Sequence, residues 1–259
     1  MTTSFDPVKH EYLIDGKRAT GVTTVISVLN KPQLYGWYAR MGVEALWGHA
    51  VDRKVVANVE GEDMEVVTLH ELEEGLEKAK GAGNKKKEEA GTHGTDAHTL
   101  VEYLITTFIE SNEGKPRQPL YFADTFTEAK FAAIKPFYDW AVENVDHFLF
   151  AERQMFNKEL FIAGTADFAY IGKDGKKYMA DFKTSSGVWG IDYYLQCAAY
   201  RLLAEAEGDA PYDGCTIVRM GKKGDFEVLH RFDYETDKEA FLACLTLYRA
   251  QATYKKAND

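Results

Sequence analysis

The stretch Gly164-Thr165-Ala166-Asp167-Phe168-Ala169-Tyr170-Ile171-Gly172-Lys173-Asp174-Gly175-Lys176-Lys177-Tyr178-Met179-Ala180-Asp181-Phe182-Lys183 decides the reading of this chain. Two runs rich in β-branched and aromatic residues, Phe161 to Ile171 and Lys177 to Thr184, flank Gly-Lys-Asp-Gly-Lys, the pattern of an antiparallel hairpin. A three-residue loop Lys173-Asp174-Gly175, with Gly175 left-handed, pairs Gly172 with Lys176 and sets Asp167 opposite Asp181. A two-residue loop shifts the pairing by one and turns Asp167 to the other face. Side chains alternate along a strand, so under the first register Asp167, Asp181 and Lys183 share a face.

Two carboxylates held close repel unless a cation lies between them, and hard divalent ions such as Mg2+ or Mn2+ take oxygen ligands of this kind. A lysine two residues from a ligand can hold, or help deprotonate, a water activated by the ion, while the ion neutralises charge on a phosphate. The combination suits phosphodiester hydrolysis. Further along, Gln196 and Tyr200 lie four residues apart on one face of the helix expected over Ile191 to Ala206. Gln can bond the lysine, a water or a nucleotide. Tyr can bond a phosphate and stack on a sugar or base.

Asp167, Asp181-x-Lys183 and Gln196-x3-Tyr200, in this order, resemble the PD-(D/E)XK nuclease superfamily and, within it, the RecB-like branch. That branch carries a G-T-x-x-H-x-x-x-E helix upstream, matched here by Gly94-Thr95-Asp96-Ala97-His98-Thr99-Leu100-Val101-Glu102. The likeness spans roughly residues 90 to 205; the literal Pro before the first Asp is replaced by Ala166. It implies one or two Mg2+ or Mn2+ ions held by Asp167, Asp181, the Phe182 carbonyl and His98. It also implies a supporting role for Glu152 on the strand expected over His147 to Phe156. Lys183 would position the attacking water, with Gln196 and Tyr200 completing the catalytic group.

Composition sets bounds on this. The chain has 259 residues, 45% hydrophobic, enough for a real core. No apolar run approaches the ~18 residues of a membrane span, and the N-terminus has no basic segment leading into an apolar one, so a soluble cytoplasmic protein is expected. Cys197, Cys215 and Cys244 are widely spaced and odd in number, which argues against a disulfide framework. The four-cysteine iron–sulfur cluster of some RecB-like nucleases is not expected. A formal charge of −10 weighs against tight binding of bulk duplex DNA, although the field in a groove matters more than the total.

In chain order, Tyr12 to Arg18 carries a small hairpin signal, and Gly21 to Ile26 reads as a short helix capped by a Thr, or as an extended segment similar to one in phage exonucleases. Pro32 to His49 has helical spacing, with Trp37 and Trp47 assigned to a core. Val51 to Lys80 is mixed helical and acidic, with Glu71, Glu73, Glu74 and Glu77 on a solvated face. Gly81 to Lys87 reads as a flexible basic loop whose Lys85, Lys86 and Lys87 are candidates to grip phosphate. A helix from Thr95 to Glu110 carries His98. Phe122 to Asn144 is amphipathic, Tyr212 to Phe232 is a second hairpin, and Thr236 to Tyr254 a closing helix. Ser185 and Ser186 are candidate phosphate contacts, and Arg201 either reaches DNA or is a surface cation.

These readings assemble into an α/β fold: a short mixed central sheet flanked by helices, a restriction-endonuclease-like core over residues 91–259, with an N-terminal helical cap over residues 1–90 of one nuclease domain. The expected activity is metal-dependent exonucleolytic cleavage of DNA from free ends, in recombination, repair or phage genome processing. The alternatives are a structure-selective endonuclease on the same fold, a catalytically silent nucleic-acid-binding module, and a phosphohydrolase of small molecules. No membrane partner is expected, and nothing selects an oligomeric state.

Overall fold

The structure is a computed structural model that describes residues 2–29, 31–59, 62–116, 128–185, 187–188, 190–221 and 224–258. In chain order the elements are β1 (Thr3–Asp6), β2 (Glu11–Ile14), β3 (Lys17–Arg18), β4 (Thr20–Gly21), α1 (Val22–Ile26), α2 (Pro32–Asp52), β5 (Val55–Val59), β6 (Glu62–Val66), α3 (Leu69–Asn112), α4 (Glu128–Asn144), β7 (Val145–Asn157), β8 (Ile162–Gly172), β9 (Lys177–Lys183), α5 (Asp192–Ala206), β10 (Gly214–Met220), β11 (Phe226–Arg231) and α6 (Tyr234–Asn258). The chain divides into two compact units, Met1–Leu29 with Asp96–Asp259, and Asn30–Thr95. The expected cap boundary is therefore redrawn, because the first 29 residues belong with the sheet.

The larger unit is α/β, with a mixed sheet flanked by helices. Its sheet runs β11-β10-β9-β8-β4, with β7 also paired to β8. The β8–β9 hairpin closes as the three-residue loop requires: Gly175 has φ +79° and the Gly172 N–H donates to the Lys176 carbonyl at 2.9 Å. Ile171 pairs with Lys177 and Phe168 with Ala180, so one further step sets Asp167 opposite Asp181. After β9 the chain crosses over through α5 and returns as β10, parallel to β9, with Ile217 beside Asp181. The strands β10 and β11 then form the second expected hairpin.

Regular pairing of β8 with β9 ends at Phe168 and Ala180, just before the two aspartates. Farther along, Thr20 and Gly21 of β4 pair in parallel with Ile162 and Ala163, residues whose opposite edge β7 already occupies. The edge of β8 thus passes from β9 to β4, and the sheet forks between them. Polar side chains can stand at such a fork without displacing a ladder hydrogen bond.

Apolar packing fixes both faces. On one, Leu104, Ile105 and Phe108 of α3 and Ile134 and Phe137 of α4 pack on Phe168, Tyr170 and Phe182. On the other, Val22 and Val25 of α1, Leu195, Ala199 and Leu203 of α5 and Phe241 of α6 pack on Ala166, Ala169 and Met179. α1 follows β4 directly; its N-cap is Gly21, and no side chain caps it, so the expected Thr cap is replaced by backbone pairing in β4.

In the smaller unit, β5 and β6 form a hairpin where a mixed helical stretch was expected. The expected loop Gly81–Lys87 is helical instead, part of the 44-residue α3. Each interior Gly costs about 1 kcal/mol of helix propensity, but Gly83 has a packing reason: a Cβ there would lie 2.1 Å from Tyr38 Cδ1. Trp47, assigned to a core, is 70% exposed on α2. Among the described residues no helix is long and apolar enough to cross a membrane.

Candidate functional site

The site collects at the fork. Strand β8 supplies Asp167, β9 supplies Asp181 and Lys183, β7 supplies Glu152, and the last turns of α3 supply His98. Helix α3 reaches the sheet because Val101, Leu104, Ile105 and Phe108, spaced for one helical face, are buried in the core. His98 precedes that run by one turn and stands edge-on to Phe182, ring centroids 5.0 Å apart.

The backbone beyond the last regular β8–β9 pair is satisfied by a side chain. The Phe182 N–H, left without a strand partner, donates to Asp167 Oδ2 at 2.7 Å. That bond fixes the Asp167 carboxylate and locates Phe182 against it. The other oxygen contacts are longer: His98 Nδ1 is 3.8 Å from Asp167 Oδ2, too far for a hydrogen bond. One donor atom from each of His98, Glu152 and Asp167 lies within 4.8 Å of the others. Donors at this separation, neither bonded to each other nor apart, suit the faces of a small divalent ion.

Glu152 joins this trio through an unusual backbone. Its φ is +46° in the middle of β7, where a non-glycine residue is strained. Ala151 still pairs with Phe168 and Arg153 with Ala166, so the strand tolerates the departure locally. Strain of this kind re-aims one side chain without ending the ladder. The sequence placed Glu152 on the strand but held no signal for the distortion.

Asp181 is fully buried and sits beside the trio rather than within it. Its Oδ2 is 2.6 Å from Lys183 Nζ, yet neither carboxylate oxygen has a hydrogen bond of acceptable geometry. Lys183 Nζ is 3.4 Å from Gln196 Oε1, and Gln196 Nε2 donates to Tyr200 OH at 2.8 Å. The four-residue spacing on α5 therefore produces a relay from Tyr200 through Gln196 to Lys183. Tyr200 is buried, and its phenol pKa is pushed well up, first by burial and then by Asp181 and Asp167.

Electrostatics follow from the crowding of acids. Burial, then repulsion from Asp167, Glu102 and Asp181, pushes Glu152 up to about 8. Burial raises Asp181 to about 6, with Lys183 opposing and Asp167 adding to the rise. Asp167 is raised by burial, against Lys183 and the Phe182 N–H. Burial lowers His98, helped by Lys183, so its imidazole is held neutral and able to ligate. Burial works against the Lys183 ammonium, but Asp181 and Asp167 overcome it and hold the amine above its ordinary value. Lys183 is thus a donor and a fixed positive charge, and a poor base.

A cation fits this group. A buried carboxylate whose Oδ2 faces only Lys183 and whose Oδ1 has no hydrogen-bond partner, a carboxyl raised to about 8 and a neutral imidazole together form a hard oxygen and nitrogen donor set with more acid than cation.

Asp167, His98 and Glu152 open into a cavity of about 590 Å3, which Tyr12, Arg18 and Tyr248 also line. Tyr12 OH and Thr165 Oγ1 are hydrogen-bonded at 2.8 Å on its wall. The N-terminal residues of this wall were not singled out by sequence, because a two-residue parallel strand such as β4 has no periodicity of its own to detect.

Other expected contacts fall elsewhere. Ser185 Oγ donates to the Gly187 carbonyl at 2.8 Å, and Ser186 lies outside the described residues. Lys85 and Lys86 are exposed on α3 within the smaller unit, and the side chain of Lys87 lies outside the described residues. Arg201 is neither a DNA contact nor a surface cation: it is 5% exposed, its guanidinium 3.7 Å from the centroid of the Tyr234 ring.

No family model matches the sequence, and no curated protein does. Among solved structures, one titled "Crystal structure of SSO0001" matches at 18% identity over 38% of this chain and 48% of that chain, with a TM-score of 0.25. The matched part thus spans about half of that structure's chain. A likeness of this size carries no argument about fold or activity.

Proposed function

We propose that the protein is a metal-dependent deoxyribonuclease with a restriction-endonuclease-like core, cutting phosphodiester bonds from DNA ends. The observation that carries the reading is the meeting of Asp167, Asp181, Lys183, Glu152 and His98 at one fork in the sheet. Asp167, Glu152 and His98 would hold a Mg2+ or Mn2+ ion, with Asp181 and the Phe182 carbonyl beside it able to complete the shell of one ion or a second. When bound, such an ion polarises a phosphoryl oxygen and lowers the pKa of a water. Lys183 stays protonated, so it orients a water or a phosphate oxygen by donation and offsets charge there. Gln196 and Tyr200 keep its ammonium aimed.

The cavity favours an end over a continuous duplex. At about 590 Å3 it lies within the range of pockets that take one small organic ligand. Arg18 supplies a cation on its wall, suited to a phosphate. The same size also suits a small phosphoester, so the assay must separate the two. Linear DNA, covalently closed circular DNA and a nucleoside monophosphate are each incubated with Mn2+ and the wild-type or Asp181→Asn protein. Loss of linear DNA alone, abolished in the variant, supports the reading. Cleavage of the circle points to an endonuclease. Release of phosphate from the monophosphate alone, or unchanged cleavage by the variant, refutes it.

A further inference from the structure

The smaller unit holds a second group of side chains that the nuclease reading does not use. His49 of α2 is 8% exposed, and its Nε2 is buried with no hydrogen-bond partner. That nitrogen points between two carboxylates of α3, 3.5 Å from Glu71 Oε2 and 3.8 Å from Glu74 Oε2. The three donor atoms lie within 4.8 Å of one another, and Glu71 Oε2 is itself buried without a donor. Glu71 and Glu74, three residues apart, share a helical face. Gly75 lets the imidazole come this close, since a Cβ there would lie 3.0 Å from His49 Cδ2 and 2.9 Å from Leu46 Cδ1.

We propose that His49, Glu71 and Glu74 form a divalent-metal site of the Zn2+ class that clips α2 to α3. One imidazole and two carboxylates supply three nitrogen and oxygen ligands, and water completes a tetrahedral shell. Two neighbours bear on loading. Lys78 Nζ stands 3.0 Å from His49 Nδ1, and His70 Nε2 is 3.5 Å from the other oxygen of Glu74. An ammonium can only donate, so Nδ1 accepts from Lys78 and the ring proton sits on Nε2. Ligation at Nε2 moves that proton to Nδ1 and displaces Lys78, which is exposed and free to swing away. Metal and Lys78 therefore compete for one imidazole.

The test uses the full chain carrying Asp167→Asn, so that the cluster at the fork is impaired whatever its function. Zn2+ is titrated in competition with a chromophoric chelator, and the His49 ring nitrogens are followed by NMR. The expected result is one equivalent bound with a shift at His49 Nε2. His49→Gln and Glu74→Gln each weaken binding by at least about tenfold, as the loss of a ligand requires. Lys78→Met tightens it. The Glu74 side chain is 47% exposed, so Glu74→Gln keeps the test informative if His49→Gln does not fold. Failure to bind Zn2+, parental affinity in Glu74→Gln, or no gain in Lys78→Met overturns the site.

Discussion

Replacing Glu152 by Gln separates charge from shape at the fork. Gln has nearly the same volume and, like Glu, is strained at φ +46°, so the substitution leaves the backbone cost in place and removes only the ionisable group. Every influence on the Glu152 carboxyl named above raises it, from an ordinary 4.5 to about 8, and none is an opposing cation. The sign follows. Below pH 4.5 the residue is protonated in both folded and unfolded chains and costs nothing. As pH rises from 4.5 towards 8 the unfolded chain ionises first, so stability is lost across that window. At 1.36 kcal/mol per pKa unit the full shift corresponds to a ceiling of about 5 kcal/mol. Part of the carboxylate faces water, which reduces the expected penalty to about 1–3 kcal/mol above pH 8.

Glu152→Gln should therefore unfold at a higher temperature than wild type in EDTA at pH 8.5, and at the same temperature at pH 4.5. Each kcal/mol is worth about 2–4 °C in a chain of this size. Mn2+ reverses the order. It stabilises the wild type by ligand linkage, more at pH 8.5 than at pH 6 because the ligands must be ionised, and stabilises the variant less. Thermal unfolding followed by far-UV circular dichroism, with and without Mn2+ at the three pH values, measures all of this. A variant no more stable than wild type in EDTA at pH 8.5, or one with an undiminished response to Mn2+, would refute the assignment of Glu152 to a cation site.

Three further outcomes follow from the same geometry. Asp181→Asn should lower metal-dependent cleavage by more than about 100-fold, read as product release under single-turnover conditions with folding checked by circular dichroism. Lys183→Met should lose cleavage while binding Mn2+ at least as tightly, because the cation that competes for Asp181 is gone; weaker Mn2+ binding by calorimetry would contradict that. Gly83→Ala opposes two rules. Helix propensity alone would stabilise by about 1 kcal/mol. The clash with Tyr38 instead predicts destabilisation of about 1–3 kcal/mol, measured by urea unfolding.

What could be read from sequence was what the chain decides locally. The loop Lys173-Asp174-Gly175 sets a register, the register sets which residues share a face, and so the meeting of Asp167, Asp181 and Lys183 follows from one glycine at φ +79°. The pair Gln196 and Tyr200 was legible for the same reason, since helical spacing is a local rule. Features that depend on distant partners were not. The two residues of β4 become a strand only because β8 offers a free edge after β9 departs. The Gly81–Lys87 segment has a loop's composition, but Tyr38, more than forty positions earlier, fills the space a side chain at Gly83 would need. Arg201 lies next to Tyr200, and only the return of α6 with Tyr234 shows why a guanidinium is buried there.

The net charge looks different once these positions are known. At the fork, Asp167, Glu102 and Asp181 add to the rise of Glu152, Lys183 opposes the rise of Asp167 and Asp181 alone, and His98 is held neutral. The fold tolerates this excess through devices that each have a cost: a strained φ at Glu152, a fully buried Asp181 whose Oδ1 has no hydrogen-bond partner, and a ladder interrupted at Phe182. None of them improves packing, and Glu152 and Asp167 turn carboxylate oxygen towards the same small volume, with Asp181 beside it. An apolar or amide set at these positions would be more stable in the absence of a ligand. Their joint occurrence is accounted for if the folded state is completed by a cation, and a cation held there gives an acidic protein a local positive field at which a phosphate can bind.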